Sequence, residues 1–282
     1  MPSFRDQIAL VTGGAGGIGR ALGRELAVSG ARVVLTDVRI EELEAAAEDL
    51  SASGAGVDTL QLDVSDAAAF RRVVEDIVAR YGRLDLLFNN AGIGITGEVR
   101  DMDQDAWDRI IDVNLKGVVH GIQAAYPQMI SQGSGHIANV ACVAGLVPFP
   151  LTAAYCATKH AVVGLSTSLR AEARDLGVGV SVVCPGTVAT EMYDAIEYIQ
   201  VDKDAVMAAI RRGMVPASRC ARQILRGVAR NRAMIPVNAH TRLVWWLYRF
   251  SPRLFFVLSG LGFRRVRSVL RTSTERSDSE GP

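Results

Sequence analysis

The sequence predicts an α/β domain with a doubly wound parallel sheet in three layers, about seven strands, and an additional C-terminal helical tail. Apolar runs of strand length alternate with longer helical patterns through residues 1–240. The runs are continuously apolar, which is typical of parallel strands covered on both faces. This alternation implies right-handed crossovers, with helices on each side of the sheet.

Each predicted element corresponds to its own stretch of sequence. The predicted strands are Ile8–Thr12, Arg32–Asp37, Thr59–Leu62, Leu84–Asn89, His136–Val140, Val178–Cys184 and Ala233–Val237. The predicted helices are Ile18–Ser29, Glu41–Leu50, Ala67–Tyr81, Gln104–Met129, Ala153–Ala173 and Ser218–Arg230. We therefore expect one dinucleotide-fold domain over residues 1–240 and a separate extension over residues 241–282.

The composition excludes several classes of protein. An apolar content of 49% and a net charge of +1 exclude a disordered chain and argue against nucleic acid as a partner. Four scattered cysteines, Cys142, Cys156, Cys184 and Cys220, suggest neither a disulfide framework nor a metal site. Residues 1–10 lack the apolar core of a secretory signal, so we expect no cleaved leader and a cytoplasmic protein.

A glycine-rich turn joins the first predicted strand to the first helix, where residues 8–19 read IALVTGGAGGIG. Glycines there permit a tight turn and let a pyrophosphate approach the amides at the helix N-terminus, although glycines alone also fit an ordinary turn. Asp37 ends the second strand, 18 residues beyond Gly19, where a carboxylate accepts hydrogen bonds from ribose hydroxyls and repels a 2′-phosphate. The pattern indicates a Rossmann fold that prefers NAD, while nearby Arg39 leaves NADP open.

Six motifs in register resemble those of the short-chain dehydrogenase/reductase family, and the resemblance covers about residues 5–240. They are Thr12-Gly13-x-x-x-Gly17-x-Gly19, Asp63-Val64, Asn89-Asn90-Ala91-Gly92, Asn114, Tyr155-Cys-Ala-Thr-Lys159 and Pro185-Gly-Thr-Val-Ala-Thr190. The resemblance implies that the cofactor is bound by Thr12, Gly13, Gly17, Ile18, Gly19, Asp37, Asp63, Val64, Asn90, Ala91, Gly92, Tyr155, Lys159, Pro185, Gly186, Val188 and Thr190.

The predicted catalytic group is a tyrosine supported by a lysine. Hydride transfer at a carbinol carbon needs a partner that moves the hydroxyl proton, because the cofactor carries only the hydride. The phenol of Tyr155 has a pKa of ~10 when free. Lys159 lies one helical turn further along, and its ammonium together with the oxidised nicotinamide should lower that pKa. By resemblance, Lys159 also holds the nicotinamide ribose and Asn114 anchors a water.

One position departs from the family pattern. The family has a serine 13 residues before the tyrosine, which donates to the substrate oxygen; here that residue is Cys142, and a thiol is a weaker donor. Three interpretations of Cys142 remain open. It is a working but weakened donor; or it indicates that Tyr155 acts alone or that the protein binds NAD without turnover; or it is a reactive thiol. We expect His136 and His160 to be structural.

The substrate region is predicted to be apolar. In the family a variable lid lies between Thr190 and Ser218, and the opposite wall would come from Ile93–Gly97 and Leu146–Leu151. Residues 93–97, 146–151 and 191–199 contain no lysine or arginine, so a lipophilic secondary alcohol or ketone fits better than an acidic substrate. The predicted substrate contacts are Val147, Phe149, Met192 and Tyr193.

The C-terminal extension differs in composition from the rest. Residues 241–282 carry eight arginines and three acidic residues, a net charge of +5, so residues 1–240 carry −4. They also hold seven of the 17 aromatic residues, but their longest uncharged run, Leu254–Phe263, has only ten residues, against roughly 20 needed to cross a bilayer. Residues 242–271 would suit an interfacial helix; packing on the domain itself or on a second subunit is the alternative.

The sequence therefore predicts an NAD-dependent oxidoreductase that interconverts a lipophilic secondary alcohol and its ketone. A feeble or inactive NAD-binding sensor or scaffold is one alternative, and lyase or epimerase chemistry with bound NAD is another. Because Gln104–Met129 and Ala153–Ala173 resemble the helix pair through which the family dimerises, a homodimer or homotetramer is expected. If residues 242–271 associate with a membrane, the cytoplasmic protein would lie at the membrane surface.

Overall fold

The computed structural model describes residues 2–51 and 56–260. Within them, seven parallel strands form the central sheet. We number these strands β1 (Ile8–Thr12), β2 (Arg32–Asp37), β3 (Val57–Gln61), β4 (Leu86–Asn89), β5 (Gly135–Val140), β6 (Val178–Cys184) and β7 (Met234–Pro236). The helices are α1 (Gly17–Val28), α2 (Ile40–Ser51), α3 (Ala67–Tyr81), α4 (Gln104–Ile111), α5 (Gly117–Gln132), α6 (Ala153–Glu172), α7 (Lys203–Ile210), α8 (Ala217–Ala229) and α9 (Ala239–Phe250).

The strands lie in the order β7-β6-β5-β4-β1-β2-β3. Every neighbouring pair in this sheet is parallel. The chain winds outward in one direction from β1 to β3 and in the other from β4 to β7, so the order switches between β1 and β4. The predicted doubly wound parallel sheet is confirmed.

The two faces of the sheet are covered by different helices, which gives three layers. On one face, Phe70 of α3, Ile122 of α5 and Val162 of α6 belong to one buried cluster. On the other face, Leu22 of α1 and Ile224 of α8 belong to a second cluster, together with side chains of α2. Strands enclosed on both sides must be apolar throughout, which is why the sequence shows continuous apolar runs.

Two element boundaries differ from the sequence prediction for identifiable reasons. Strand β4 begins at Leu86 and leaves out Leu84, because the Gln132 carboxamide occupies the backbone of Leu84: it accepts a hydrogen bond from the Leu84 N–H and donates one to the Leu84 carbonyl, both at 2.9 Å. The single helix predicted over Gln104–Met129 is divided by a π-helical turn, Asp112–Lys116. Asn114 lies on that turn.

The C-terminal segment returns to the face of the sheet covered by α3, α5 and α6. The Asn238 side chain accepts a hydrogen bond from the Thr241 N–H at 2.9 Å at the start of α9, and residues 252–260 are again helical. Phe255 is buried in the core. Residues 261–271 of the predicted interfacial segment lie outside the described residues. Among the helices described, none has both the length and the apolarity that crossing a bilayer requires.

Candidate active site

A cleft of about 1130 Å³ opens at the carboxyl edge of the sheet, beside the point where the strand order switches. One half is lined by the glycine-rich turn after β1 and by the ends of β2 and β3; the other is lined by α6 and the lid. Nineteen of the predicted site residues line this cleft: Gly13, Gly17, Ile18, Asp37, Asp63, Val64, Asn90, Ala91, Gly92, Cys142, Phe149, Tyr155, Lys159, Pro185, Gly186, Val188, Thr190, Met192 and Tyr193.

Thr12 and Gly19 shape the glycine-rich turn from behind the cleft wall. The Thr12 hydroxyl accepts hydrogen bonds from the backbone N–H groups of Asn90 and Ala91, both at 3.0 Å. A Cβ at position 19 would lie 2.0 Å from the Gly13 carbonyl oxygen. Only glycine therefore allows the first turn of α1 to approach β1 this closely, as a bound pyrophosphate requires.

The Asp37 carboxylate organises the end of β2. One oxygen accepts a hydrogen bond from the Ala15 N–H at 3.2 Å, and the other accepts from the Arg39 N–H at 3.1 Å and from its Nε at 3.3 Å. Arg39 also pairs with Glu42. Asp37 thus connects the glycine-rich turn to the rim of the cleft, and the Arg39 guanidinium is shared between two carboxylates.

These residues fit a dinucleotide. The turn brings backbone amides to the cleft, its glycines leave room for a phosphate, and a carboxylate lies at the end of β2 where a ribose would be held. We find no group of three or more His, Cys, Asp and Glu side chains arranged to hold a metal ion among residues 2–51 and 56–260.

Glu191 is a site residue that the sequence did not reveal. Its carboxylate accepts a hydrogen bond at 3.1 Å from the N–H of Gly17, the first residue of α1. This places a negative charge at the positive end of the α1 dipole, where the N–H groups of a dinucleotide-binding turn face a pyrophosphate. The two residues are 174 positions apart, so no local pattern could have indicated the contact.

Tyr155, Cys142 and Lys159 converge in the other half of the cleft. The Tyr155 hydroxyl and the Cys142 thiol lie close enough for each to shift the pKa of the other. The buried Lys159 ammonium donates a hydrogen bond to the Val140 carbonyl at 3.0 Å and lies 5.6 Å from the centre of the Tyr155 ring. The helical spacing thus places the phenol and the ammonium side by side, as expected for residues four apart.

Burial dominates the electrostatics of this group in the polypeptide itself. Burial raises the pKa of the Tyr155 phenol well above its usual value, and the neighbouring Cys142 raises it further. Burial also lowers the pKa of the Lys159 ammonium to about 8. Loss of solvation is the largest cause of the shift in the polypeptide itself. The expected acidification combined the Lys159 ammonium with the charge of the oxidised nicotinamide, and it stays a prediction for the cofactor-bound protein.

Asn114 lies behind the cleft wall and is fully buried. Its side-chain oxygen accepts a hydrogen bond from the Ile93 N–H at 2.8 Å, and its side-chain nitrogen donates to the Ile93 carbonyl at 2.9 Å. A Cβ on Gly92 would lie 3.0 Å from the Asn114 oxygen and 3.5 Å from the Lys159 nitrogen. Asn114 therefore fixes the loop after β4 against the Tyr155 and Lys159 pair.

The lid covers the substrate half of the cleft with apolar side chains. Backbone hydrogen bonds from Glu197 to Gly94 at 3.1 Å and from Ile199 to Thr96 at 2.8 Å attach it to the loop after β4. Phe149, Met192 and Tyr193 line the cleft as expected, and Ile196 joins them. Val147 is fully buried in the core, so its predicted contact with substrate does not agree with its position.

The two histidines considered from the sequence lie outside the cleft. His136 is hydrogen-bonded to the Ser181 hydroxyl at 2.8 Å, and burial lowers its pKa to about 4. His160 is hydrogen-bonded to the Cys156 carbonyl at 2.8 Å. Neither ring reaches the Tyr155 hydroxyl, and both have the contacts of structural residues.

Comparisons with known proteins agree with this geometry. A family model described as short chain dehydrogenase matches residues 7–198. The chain belongs to the short-chain dehydrogenase family. This family member is 40% identical over 189 residues to the 3-oxoacyl-[acyl-carrier-protein] reductase FabG of Staphylococcus aureus, a match that covers 67% of this chain and 77% of that protein.

Solved structures of other short-chain dehydrogenases share the fold. A member from Burkholderia phymatum in complex with NAD superimposes with a TM-score of 0.83 and is 31% identical, covering 90% of this chain and 96% of that one. A metagenomic short-chain oxidoreductase in complex with NADP gives a TM-score of 0.69 at 33% identity, covering 83% and 96%. Since both dinucleotides occur among the relatives of this short-chain dehydrogenase, its own residues must decide between them.

The Glu191 carboxylate should weaken the binding of a dinucleotide by this short-chain dehydrogenase. A pyrophosphate bound by the amides of α1 would meet the Glu191 carboxylate there. We expect Glu191→Gln to tighten NADH binding by about twofold to fivefold, the effect of one charge at a helix N-terminus. The measurement is a fluorescence titration with NADH at low ionic strength.

Glu197→Gln is the matched control, because Glu197 is also an acidic lid residue but pairs with Arg109 and not with Gly17. Its NADH affinity should equal that of the wild type. Equal affinities for all three proteins would show that Glu191 does not compete with the dinucleotide.

Proposed function

We propose that this chain is an NAD-dependent oxidoreductase that interconverts a lipophilic secondary alcohol and its ketone. The observation that carries the proposal is the convergence of Tyr155, Lys159 and Cys142 in the same cleft as the glycine-rich turn. A phenol next to an ammonium is a proton donor and acceptor, and the turn is a site for a dinucleotide. The relationship to a 3-oxoacyl reductase supports ketone chemistry.

In the proposed ketone reduction, each residue of the cleft has a separate role. When bound, the nicotinamide supplies the hydride. The Tyr155 hydroxyl donates its proton to the substrate oxygen, and the Cys142 thiol donates a second, weaker hydrogen bond to that oxygen. Lys159, whose pKa is lowered to about 8, carries most of its positive charge at neutral pH and stabilises the phenolate left behind.

The raised pKa of Tyr155 favours the direction of reduction. A phenol whose pKa is raised by burial is protonated at neutral pH, which is the form that a general acid needs. Oxidation would instead require the phenolate before the hydride leaves. We therefore propose that the chain acts as a ketone reductase at neutral pH and that oxidation gains as the pH rises.

The proposed substrate class follows from the lid. Phe149, Met192, Tyr193 and Ile196 surround the outer part of the cleft, and the pKa of the Tyr193 phenol is raised to about 12, chiefly by burial. Such a surface favours an apolar chain or ring next to the ketone. Lys159, the cation nearest to Tyr155 in this half of the described cleft, is already hydrogen-bonded to a carbonyl, so an acidic substrate would lack a dedicated partner.

Substitution of Tyr155 tests the proposal. We expect Tyr155→Phe to lower the rate of ketone reduction by ~10²–10⁴, the usual contribution of a positioned general acid. The assay measures NADH oxidation with a panel of aliphatic, cyclic and 3-oxoacyl thioester ketones. Tyr126→Phe is the control, because Tyr126 packs against the core outside the cleft and its loss should leave the rate unchanged.

Cys142→Ser, measured in the same assay, separates the enzyme from the alternative of a dinucleotide-binding sensor. A hydroxyl is a stronger donor than a thiol, so an enzyme limited at this position should gain up to ~10-fold in turnover, since a missing donor typically costs ~10²–10³. NADH affinity should not change. If neither the wild type nor Cys142→Ser turns over any ketone in the panel while both bind NADH, the sensor is favoured.

The choice between NAD and NADP depends on Asp37. Its carboxylate ends β2, the position at which dinucleotide-binding folds hold the ribose, and Arg39 is already shared by Asp37 and Glu42. We expect NADH to bind more tightly than NADPH by roughly tenfold or more, because like charges would be brought together. Asp37→Asn should remove most of this difference in a paired titration.

Asp63→Asn provides the control for that titration. Asp63 lies at the adenine end of the cleft by family resemblance, so its substitution should change the affinities for NADH and NADPH equally. Tighter binding of NADPH by the wild type would contradict the assignment of Asp37.

A further inference from the structure

The C-terminal segment exposes a concentrated apolar surface. Of the thirteen large apolar side chains that are exposed in the described residues, seven lie between positions 243 and 258. The most exposed of these seven are Leu243 at 68%, Phe250 at 67% and Trp246 at 61%. We call this set the tail surface; it consists of Leu243, Trp246, Phe250, Leu254, Phe256, Val257 and Leu258.

The spacing of these residues makes the tail surface continuous along each helical piece. Leu243, Trp246 and Phe250 are separated by three and four residues, so they lie along one face of α9. Leu254, Val257 and Leu258 lie at positions i, i+3 and i+4 of helical residues 252–260, so they also share one helix face. An exposed apolar stripe of this kind usually marks an interaction surface.

Contacts with the core hold the C-terminal helices so that the tail surface faces away from the domain. Phe255 is buried in the core, and Trp245 and Tyr248 of α9 pack against the same cluster from the other side of the helix. Thr241, at the start of α9, is fully buried next to Gly186, where a Cβ would lie 2.6 Å from the Thr241 hydroxyl. Because the inward face is already anchored, the outward face is left for another partner.

The lysine, arginine and acidic side chains of the segment that carries the tail surface, residues 239–260, are all arginines. Arg242, Arg249 and Arg253 are exposed, and residues 239–260 contain no aspartate or glutamate. The Arg249 guanidinium lies 5.9 Å from the centre of the Trp245 ring. Arginine and tryptophan beside an exposed apolar stripe are typical of helices that lie in the headgroup region of a membrane.

We propose that the tail surface docks the protein peripherally on an anionic phospholipid bilayer. The arginines would contact lipid phosphates while Trp246, Phe250 and the neighbouring side chains enter the boundary between headgroups and acyl chains. A second copy of the chain fits less well, because symmetric pairing of two tail surfaces would oppose arginines that have no acidic partner between residues 239 and 260. The net charge of +5 over residues 241–282 adds to the attraction of anionic lipid.

Vesicle flotation of the full chain tests this proposal. The probes are vesicles of phosphatidylcholine alone and of phosphatidylcholine mixed with phosphatidylglycerol, at low and high salt. We expect the wild type to float with the anionic vesicles, to bind neutral vesicles more weakly, and to lose binding as salt rises. Failure of the wild type to float with anionic vesicles at low salt would overturn the proposal.

Two double variants separate apolar insertion from charge. Trp246→Ser with Phe250→Ser should lower partitioning at least tenfold, and Arg242→Gln with Arg249→Gln should remove the preference for phosphatidylglycerol. Val28→Ser with Leu176→Ser is the control, since these exposed apolar residues lie far from the tail in sequence, and its binding should match the wild type. Unchanged binding by the Trp246 and Phe250 variant would overturn the assignment.

The molar mass in solution, measured by light scattering, distinguishes a lipid bilayer from a second copy of the chain as the partner of the tail surface. Loss of a vesicle-binding activity in the Trp246 and Phe250 double variant without a change in molar mass supports lipid docking. A fall in molar mass in that variant, with no vesicle binding by the wild type, would instead make the tail surface an interface between copies. Circular dichroism spectra of all variants should overlay that of the wild type.

Discussion

The hydrogen bonds from the backbone of Asn90 and Ala91 to the Thr12 hydroxyl connect the ends of β1 and β4. These are the strands at which the sheet changes direction, so the bonds set the distance between the two halves of the cleft. The glycine-rich turn follows β1 on one side. On the other, Gly92 lies between Asn114 and Lys159, and Asn114 holds Ile93 through both its oxygen and its nitrogen.

The interior of the cleft determines the charge states of its residues. Burial raises the pKa of Tyr155 and lowers the pKa of Lys159, so both groups shift toward the neutral form. The Lys159 ammonium retains one hydrogen bond, to the Val140 carbonyl, in compensation. In the proposed ketone reduction, a phenol that keeps its proton would donate it to the substrate oxygen, and the adjacent lysine would stabilise the phenolate that is left. The proposed direction of reaction therefore depends on how far the site excludes water.

Much of the fold could be predicted because its signals are local. The apolar runs marked all seven strands, and the spacing of Tyr155 and Lys159 placed them on one face of α6. The features that were missed depend on contacts distant in sequence. The π-helical turn at Asn114 coincides with its bonds to Ile93, 21 residues away, and the position of Glu191 depends on Gly17. Val147 was misplaced for the same reason, since apolar sequence does not distinguish a core position from a cleft wall. The direction of the Tyr155 pKa shift required knowledge of burial.

Direct observation of hydride transfer would test the proposed oxidoreductase activity. NADH carrying deuterium at the transferable position of carbon 4 would be incubated with the protein and the ketone panel, and the alcohol product examined by mass spectrometry. Transfer by the proposed route predicts one deuterium on the carbinol carbon of the product for each NADH consumed, with none exchanged into water. An alcohol without deuterium, or conversion of substrate with no net loss of NADH, would contradict an oxidoreductase of this kind.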